Sequence, residues 1–290
     1  MFRFIRTLSS VRSGSRYSPE FKVYLQLDDG KIGSFFHDVP LNLNKSARTA
    51  SMVVEIPRWQ NAKFEISKEL AANPIVQDTK KGNLRFLNNI YPNHGVPHNY
   101  GAFSQTWESP LHPSPLVKER ISGDNDPLDV IDIGRFVSAT GTIKTVKILG
   151  SLALVDDGEL DWKVVVIDTN DPMSKEVSNT ADVYEKMPGL LENLKRWFEI
   201  YKIPTGKQPN KFLFDGAYQD VDLTLKVVQE CHESWNQLVS GDLAGEELPS
   251  IENASLTQTK GHTKFDVELL PASDANELPQ DANAISYIKH

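Results

Sequence analysis

The chain has 290 residues, 39% of them apolar, enough to bury the core of one large domain. Its 31 Lys and Arg stand against 39 Asp and Glu, and a net charge of −8 argues against a duplex-DNA partner, whose binding needs a positive surface that displaces counterions. Cys231 is the single cysteine, so a disulfide framework and a thiolate zinc cluster are both excluded, and no apolar run approaches the length of a membrane span.

The chain opens MFRFIRTLSSVRSGSRYSP, with Arg3, Arg6, Arg12 and Arg16 and no acid before Glu20. Phe2, Phe4, Ile5 and Leu8 lie between the charges, which is the composition of a mitochondrial transit peptide; a disordered tail is the plainer alternative. Residues 1–19 are read as a targeting segment outside the fold, with a more acidic body behind it. FKVYLQL then alternates Phe21, Val23, Leu25 and Leu27 with polar residues, and DDGK turns it back toward IGSFF, a hairpin pattern. MVVEIP, AKFEI and NLRF are further short strands. LDVIDIG, IKTVKILGSLALV and LDWKVVVID follow, the last two joined by an Asp-Gly turn.

Beyond residue 170 the period changes. PGLLENLKRWFEIYKIP carries Leu190, Leu191, Leu194, Trp197, Phe198 and Tyr201 at helical spacing between two prolines. VDLTLKVVQECHESWNQLVSG repeats Val221, Leu225, Val228, Trp235 and Val239 and stops at Gly241. Two amphipathic helices are expected to cover a curled sheet. The polar stretch 244–290 shows little periodicity and is read as an extended or loosely ordered extension of a body spanning 20–243.

ISGDNDPLDVIDIG crowds Asp124, Asp126, Asp129 and Asp132 together. It is not an EF-hand loop: counting from Asp124, the fifth position is Leu128, the sixth is Asp129 instead of glycine, and the twelfth is Arg135 instead of glutamate. Pro127 biases Asp126 toward an extended conformation, and the strand period then puts Asp129 on the face of Ile131 and Ile133, with Val130 and Asp132 opposite. A carboxylate in phase with isoleucines heads inward, where divalent cations relieve both desolvation and repulsion. A solvated acidic turn explains the local text equally well.

Other charges are ambiguous by themselves. Asp156, Asp161 and Lys163 in LVDDGELDWK, and Glu55, Arg58, Lys63 and Glu65 in EIPRWQNAKFEI, read alone as turns and surface ion pairs. Arg85 lies between Leu84 and Phe86, and Tyr201-Lys202 closes a helix. His94 and His98 are four apart, yet Gly95 and Pro97 prevent the helix that would aim both at one ion. No GxxxxGK[ST], GxGxxG or GxSxG motif is present.

Together these pieces resemble a known family. GDNDPLDV is similar to the D-x-D-P-x-D signature of the family I soluble inorganic pyrophosphatases. VVEIPRW, AKFEI, QDTKKGNLRF, HNYGAFSQTWE, DDGELDWK and IYKIPTGK resemble its eukaryotic branch, in order over roughly residues 20–240. With the arginine-rich leader, the resemblance points to a mitochondrial form. It implies a mainly β fold with α, a small five-stranded OB-like β-barrel flanked by two main helices, a homodimer, several Mg²⁺ ions per active site, and hydrolysis of inorganic pyrophosphate to two orthophosphates. It implies neither a nucleic-acid partner nor membrane insertion.

By the same resemblance Asp124, Asp129 and Asp161 would hold the tightest Mg²⁺, Asp129 would reach a second ion, and Asp126 would be general base to the water they share. Glu55, Glu65 and Asp156 would contact ions arriving with substrate. Lys63, Arg85, Tyr100, Lys163, Tyr201 and Lys202 would bind the phosphoryl groups, with Lys63, Arg85 and Tyr100 assisting catalysis. One position departs from the pattern: Val96 stands where the family carries a tyrosine, and restoring the tyrosine is expected to raise activity modestly or leave it unchanged. A Mg²⁺-dependent nucleotide pyrophosphohydrolase and an OB-type binding module remain as alternatives, although neither a Glu-rich Nudix-type helix nor a basic, aromatic-interleaved stripe is present.

Overall fold

The computed structural model describes residues 8–245 and 247–288. A first sheet contains β1 (Ser9–Ser13), β2 (Lys22–Gln26), β3 (Ile32–Gly33), β5 (Phe64–Ile66) and β6 (Ile75–Gln77), with β4 (Thr49–Ile56) running past it into a second. Short pairs follow at β7 (Thr79–Lys80) with β8 (Asn83–Leu84), and β9 (Asn89–Ile90) takes a C-terminal partner. The second sheet joins β4 to β10 (Asn99–Phe103), β11 (Asp129–Asp132), β12 (Ile143–Asp156) and β13 (Glu159–Asp168), with β14 (Lys211–Phe212) added at the edge of β12. Helices α1 (Thr180–Lys186), α2 (Leu190–Ile200) and α3 (Val221–Ser240) follow, and β15 (Ile285–Ser286) returns to β9.

The second sheet closes on itself: β4 pairs β10, β10 pairs β11, β11 runs parallel to β13, β13 pairs β12, and β12 pairs β4 again. These five strands form the OB-like ring expected from the resemblance. Closure depends on β12, fourteen residues long, whose first part serves β4 and whose remainder serves β13. Its register shifts between Ile148 and Gly150, a bulge that bends the strand. A side chain at residue 150 would meet the Gln219 carbonyl at 2.5 Å, so only glycine fits there.

Ring strands are buried on both faces. Val130, Val164 and Val166 pack in one cluster with Val227 and Val228 of α3, while Ile131, Val165 and Ile167 pack in another with Leu191, Leu194 and Trp197 of α2. Both expected helices form. Helix α2 turns Leu191, Leu194, Trp197, Phe198 and Ile200 inward, and α3 is capped by Asp220, whose carboxylate accepts from the Leu223 amide at 2.8 Å, and by Gly241 in the left-handed conformation. The short α1, capped by Asn179, escaped the helical-periodicity reading because seven residues present too few repeats.

Two expectations about the ends need correction. Residues 1–7 of the expected leader lie outside the described residues, but residues 8–19, read as outside the fold, belong to it: β1 pairs antiparallel with β2 from Ser9–Gln26 to Ser13–Lys22. Arg16, counted among the leader's charges, is partly buried, lies 5.2 Å over the Phe64 ring and donates to Gln60 at 2.9 Å. The extension from 244 has little regular structure, as read, yet it is fastened down: Phe265 and Asn253 are buried, and the Asp38 carboxylate accepts from the amides of Ala254 and Ser255 at 2.9 and 2.8 Å.

Deleting residues 1–20 is therefore expected to lower the thermal midpoint by roughly 5 °C, a loss of about 2 kcal/mol from a strand and a stacked arginine. Differential scanning calorimetry of the truncated and full-length chains checks this, and equal midpoints would mean that β1 contributes nothing.

Candidate active site

The ring strands carry the centre of the site. In β11 and β13 Asp129 lies opposite Lys163 in parallel register, and the two-residue strand period puts Asp161 on the face of Lys163. Tyr100 reaches the same point from β10: its hydroxyl donates to Asp129 and accepts from the Lys163 ammonium at 3.1 Å. Lys163 is also ion-paired to both Asp129 and Asp161. Burial opposes the charge on Lys163, but Asp129 and Asp161 more than reverse this and raise its pKa well above the usual lysine value.

Around this centre stand three further groups. On β4 and β5, Glu55 accepts from the Ile66 amide at 2.7 Å, and Lys63 pairs with Glu65. Arg85 reaches Asp78 at 2.8 Å, and the same carboxylate lies 3.5 Å from Lys63. At the end of α2, Lys202 pairs with Asp156, and the Tyr201 hydroxyl donates to that carboxylate at 3.3 Å. Tyr201 stacks on Trp197 at 5.0 Å, which fixes its ring.

The acidic loop closes the circle. The Asp126 amide donates to the Asp124 carboxylate at 3.0 Å, a local turn, and the Asp126 carboxylate pairs with Lys68 at 2.6 Å. All residues assigned to the site from the sequence thus line one cleft of about 160 Å³: Glu55, Lys63, Glu65, Arg85, Tyr100, Asp124, Asp126, Asp129, Asp156, Asp161, Lys163, Tyr201 and Lys202. Asp129 shares its face with Ile131 and Ile133, as the strand period requires, while Asp132 points to the other face and is buried against Lys144 at 2.5 Å.

Three participants escaped the sequence reading. Glu108 is 4% exposed, accepts from the Trp162 amide at 3.0 Å through one oxygen and leaves the other unpartnered. Its carboxylate and those of Asp124 and Asp161 place one oxygen each within 4.8 Å of one another. Asp78 and Lys68 join through the pairs already described. None carries a spacing signal; Glu108 is a lone acid in QTWESP, made significant only by the neighbours that folding supplies.

The electrostatics favour a bound cation. Burial, followed by Asp161, pushes Asp124 well above the usual carboxylate range; burial, followed by Asp124, does the same to Glu108. Asp161 is pushed up to about 7 by burial, against the pull of Lys163 and with Asp129 adding to the rise. Glu55 is raised well above the ordinary value by burial and then by Asp129. Hard oxygen donors with an unpartnered buried carboxylate oxygen fit a divalent ion such as Mg²⁺. His94, bonded to the Trp59 carbonyl at 2.9 Å, and His98, whose pKa burial lowers to about 4, do not line the cleft.

Comparison with known proteins agrees with this geometry. A family model described as "Inorganic pyrophosphatase" matches residues 52–236. The chain is 53% identical over 253 residues to the mitochondrial inorganic pyrophosphatase of Saccharomyces cerevisiae, covering 86% of this chain and 82% of that one. It is 48% identical over 268 residues to the inorganic pyrophosphatase of Kluyveromyces lactis, covering 92% of each. The solved inorganic pyrophosphatase of Schistosoma japonicum superposes with a TM-score of 0.90 at 36% identity, covering 96% of this chain and all of that one.

Val96 is fully buried in the larger core cluster, its backbone tied to Gln60 at 3.0 Å and Trp59 at 2.7 Å, and it does not line the cleft. The expectation that a tyrosine would be tolerated there therefore changes. Val96→Tyr is expected to destabilise the protein by about 1–3 kcal/mol through overpacking, with no gain in rate. Turnover and thermal midpoint measured together check this; a higher rate at an unchanged midpoint would refute it.

Proposed function

Because the chain belongs to the inorganic pyrophosphatase family and hydrolyses inorganic pyrophosphate, we propose that Asp126 is the general base of that reaction and that Mg²⁺ is the ion its carboxylates hold. One observation carries the reading: acids from β4, β5, β11, β12, β13 and the 124–126 loop converge on a single cleft together with Lys63, Arg85, Lys163 and Lys202. Asp124, Asp129 and Asp161 would hold the tightest ion, and Glu55, Glu65 and Asp156 would contact ions that arrive with the substrate. When bound, Mg²⁺ neutralises carboxylate and phosphate charge and makes water easier to deprotonate.

The chain's own residues supply the rest. Asp126, the more exposed member of its loop, accepts the proton of the attacking water as the oxygen bonds to phosphorus. The bridging P–O bond breaks and its electron pair stays with the leaving phosphate. Lys63, Lys163 and Lys202, each paired with an acid here, would donate to phosphate oxygens of the bound substrate. Arg85, Tyr100 and Tyr201 complete the donor set, holding charge that grows on both phosphates in the transition state.

Two further readings complete the proposal. The protein is a homodimer, supported by exposed Trp59, Phe136 and Val137, whose loops are tied where Arg58 donates to the Arg135 carbonyl at 3.3 Å. It is mitochondrial, supported by the name of the Saccharomyces relative and by Arg3 and Arg6 set among Phe2, Phe4 and Ile5 in the residues that precede β1. Sedimentation of the wild type as a dimer and of Trp59→Glu as a monomer, together with mitochondrial fluorescence of a C-terminally tagged full-length chain, are the expected results; a monomeric wild type or cytosolic fluorescence removes the corresponding reading.

Asp126→Asn is expected to lower turnover by roughly 10²- to 10⁴-fold while Mg²⁺ affinity stays near the wild-type value. Asp129→Asn should weaken Mg²⁺ binding itself. Calorimetric titration beside phosphate-release assays, with pyrophosphate and a nucleoside triphosphate as substrates, separates these roles. Equal Mg²⁺ losses in both variants would abolish the distinction between base and ligand.

A further inference from the structure

Between the two carboxylates of its acidic loop the chain places Asn125 at φ 71°, the left-handed region that asparagine tolerates better than most residues. Its backbone amide donates to the Glu108 carbonyl at 2.9 Å, and the Glu108 amide donates back to the Asp126 carbonyl at 2.9 Å. The side chain reaches in two other directions. Its Oδ1 accepts from Nε1 of buried Trp107 at 2.9 Å, and its Nδ2 donates to the Glu247 carbonyl at 3.0 Å, 122 positions away in the C-terminal extension.

Three residues further on, the same extension makes a second contact beside Asp126. The Ser250 amide donates at 2.8 Å to the carbonyl of Lys68, whose ammonium pairs with the Asp126 carboxylate. Ser250 is itself anchored. Trp235 Nε1 can only donate, and it donates to His37 Nδ1 at 2.9 Å, so the ring carries its proton on Nε2 and gives it to the Ser250 carbonyl at 2.8 Å. Burial lowers the His37 pKa to about 4, which keeps this tautomer neutral near pH 7. Beyond it, Asp38 holds the amides of Ala254 and Ser255.

We propose that residues 247–255 form a strap that positions the acidic loop, with Asn125 and Lys68 as positioning residues that carry its hold to either side of Asp126. The strap deepens the reading of Asp124 as ligand and Asp126 as base, and rests on it. A loop of neighbouring carboxylates is pushed apart by its own charge before a cation arrives. Two bonds that use the backbone of the fastened segment, one to the Asn125 side chain and one to the Lys68 carbonyl, oppose that spreading. The extension, which has no periodicity of its own, thereby acquires a role in catalysis.

The test compares Asn125→Gly, which keeps the left-handed conformation and loses both side-chain bonds, with Ser250→Pro, which removes the donor to Lys68, and with the double variant. Calorimetry with Mg²⁺ alone should show each single variant binding more weakly by on the order of tenfold, the range for residues that orient metal ligands. Turnover should fall with KM for pyrophosphate within about twofold of wild type, and the double variant should be no worse than the weaker single one, because both cut one device. Hydrogen exchange at the Asp126 amide should quicken in each. If Ser250→Pro does not fold, Asn125→Gly decides by the same affinity and exchange measurements. A lowered midpoint with Mg²⁺ affinity unchanged would make the segment a fastening only, and additive losses would make its two contacts independent; either result overturns the strap. Failure of the wild type to bind Mg²⁺, or full activity in Asp126→Asn, would instead overturn the ligand and base assignment beneath it.

Discussion

Repulsion among buried carboxylates is the constraint on which the rest of this protein turns. Glu108, Asp124 and Asp161 bring oxygens within 4.8 Å of one another, and Asp129 and Glu55 add to the same field. Two unit charges about 4 Å apart repel by about 4 kcal/mol at an effective dielectric constant near 20, so a pliant scaffold would separate them. A closed ring does not. The β11–β13 and β12–β13 pairings hold Asp129, Asp161 and Lys163 through backbone hydrogen bonds that are indifferent to side-chain charge. Gly150, by letting β12 bend, is as much a part of the site as any acid.

Lysines balance the field. Lys163, Lys63 and Lys202 each pair with a carboxylate that the proposed mechanism gives to a cation. One of these pairs, Asp161 with Lys163, is two residues apart on β13 and therefore on one face, and Lys63 with Glu65 has the same separation at the start of β5. Such spacing on a solvated strand is a surface ion pair of little value, but within a cleft the same spacing stores a cation beside each acid. In the proposed mechanism substrate and metal would exchange partners within a set of charges already brought together. Large rearrangement of the fold is unnecessary for this.

The ends of the chain show how far local reading reaches. Arginine and serine between residues 3 and 16 gave a transit-peptide composition, and nothing local revealed that Val11 and Arg16 had packing partners. The polar segment after 244 was equally opaque. Its order comes from Asp38, His37 and Asn125, more than a hundred positions earlier, which accept or donate to its backbone. Hydrogen bonds of this kind need no side-chain pattern in the segment they hold, so the segment shows none.

Period and motif determined a great deal unaided. Alternation over 129–133 put Asp129 inward, helical spacing placed α2 and α3, and the GDNDPLDV signature with its companions indicated the family and a set of residues that the fold brings to one cleft. Tertiary structure alone decided that Val96 faces the core, that Glu108, Asp78 and Lys68 join the site, and that β1 and the C-terminal extension belong to the body. The division follows from what each kind of information encodes. A period of two or of 3.6 residues states which side of an element is apolar, whereas ring closure and chain return determine which distant side chains share a charge, and that sharing converts separate acids into a site.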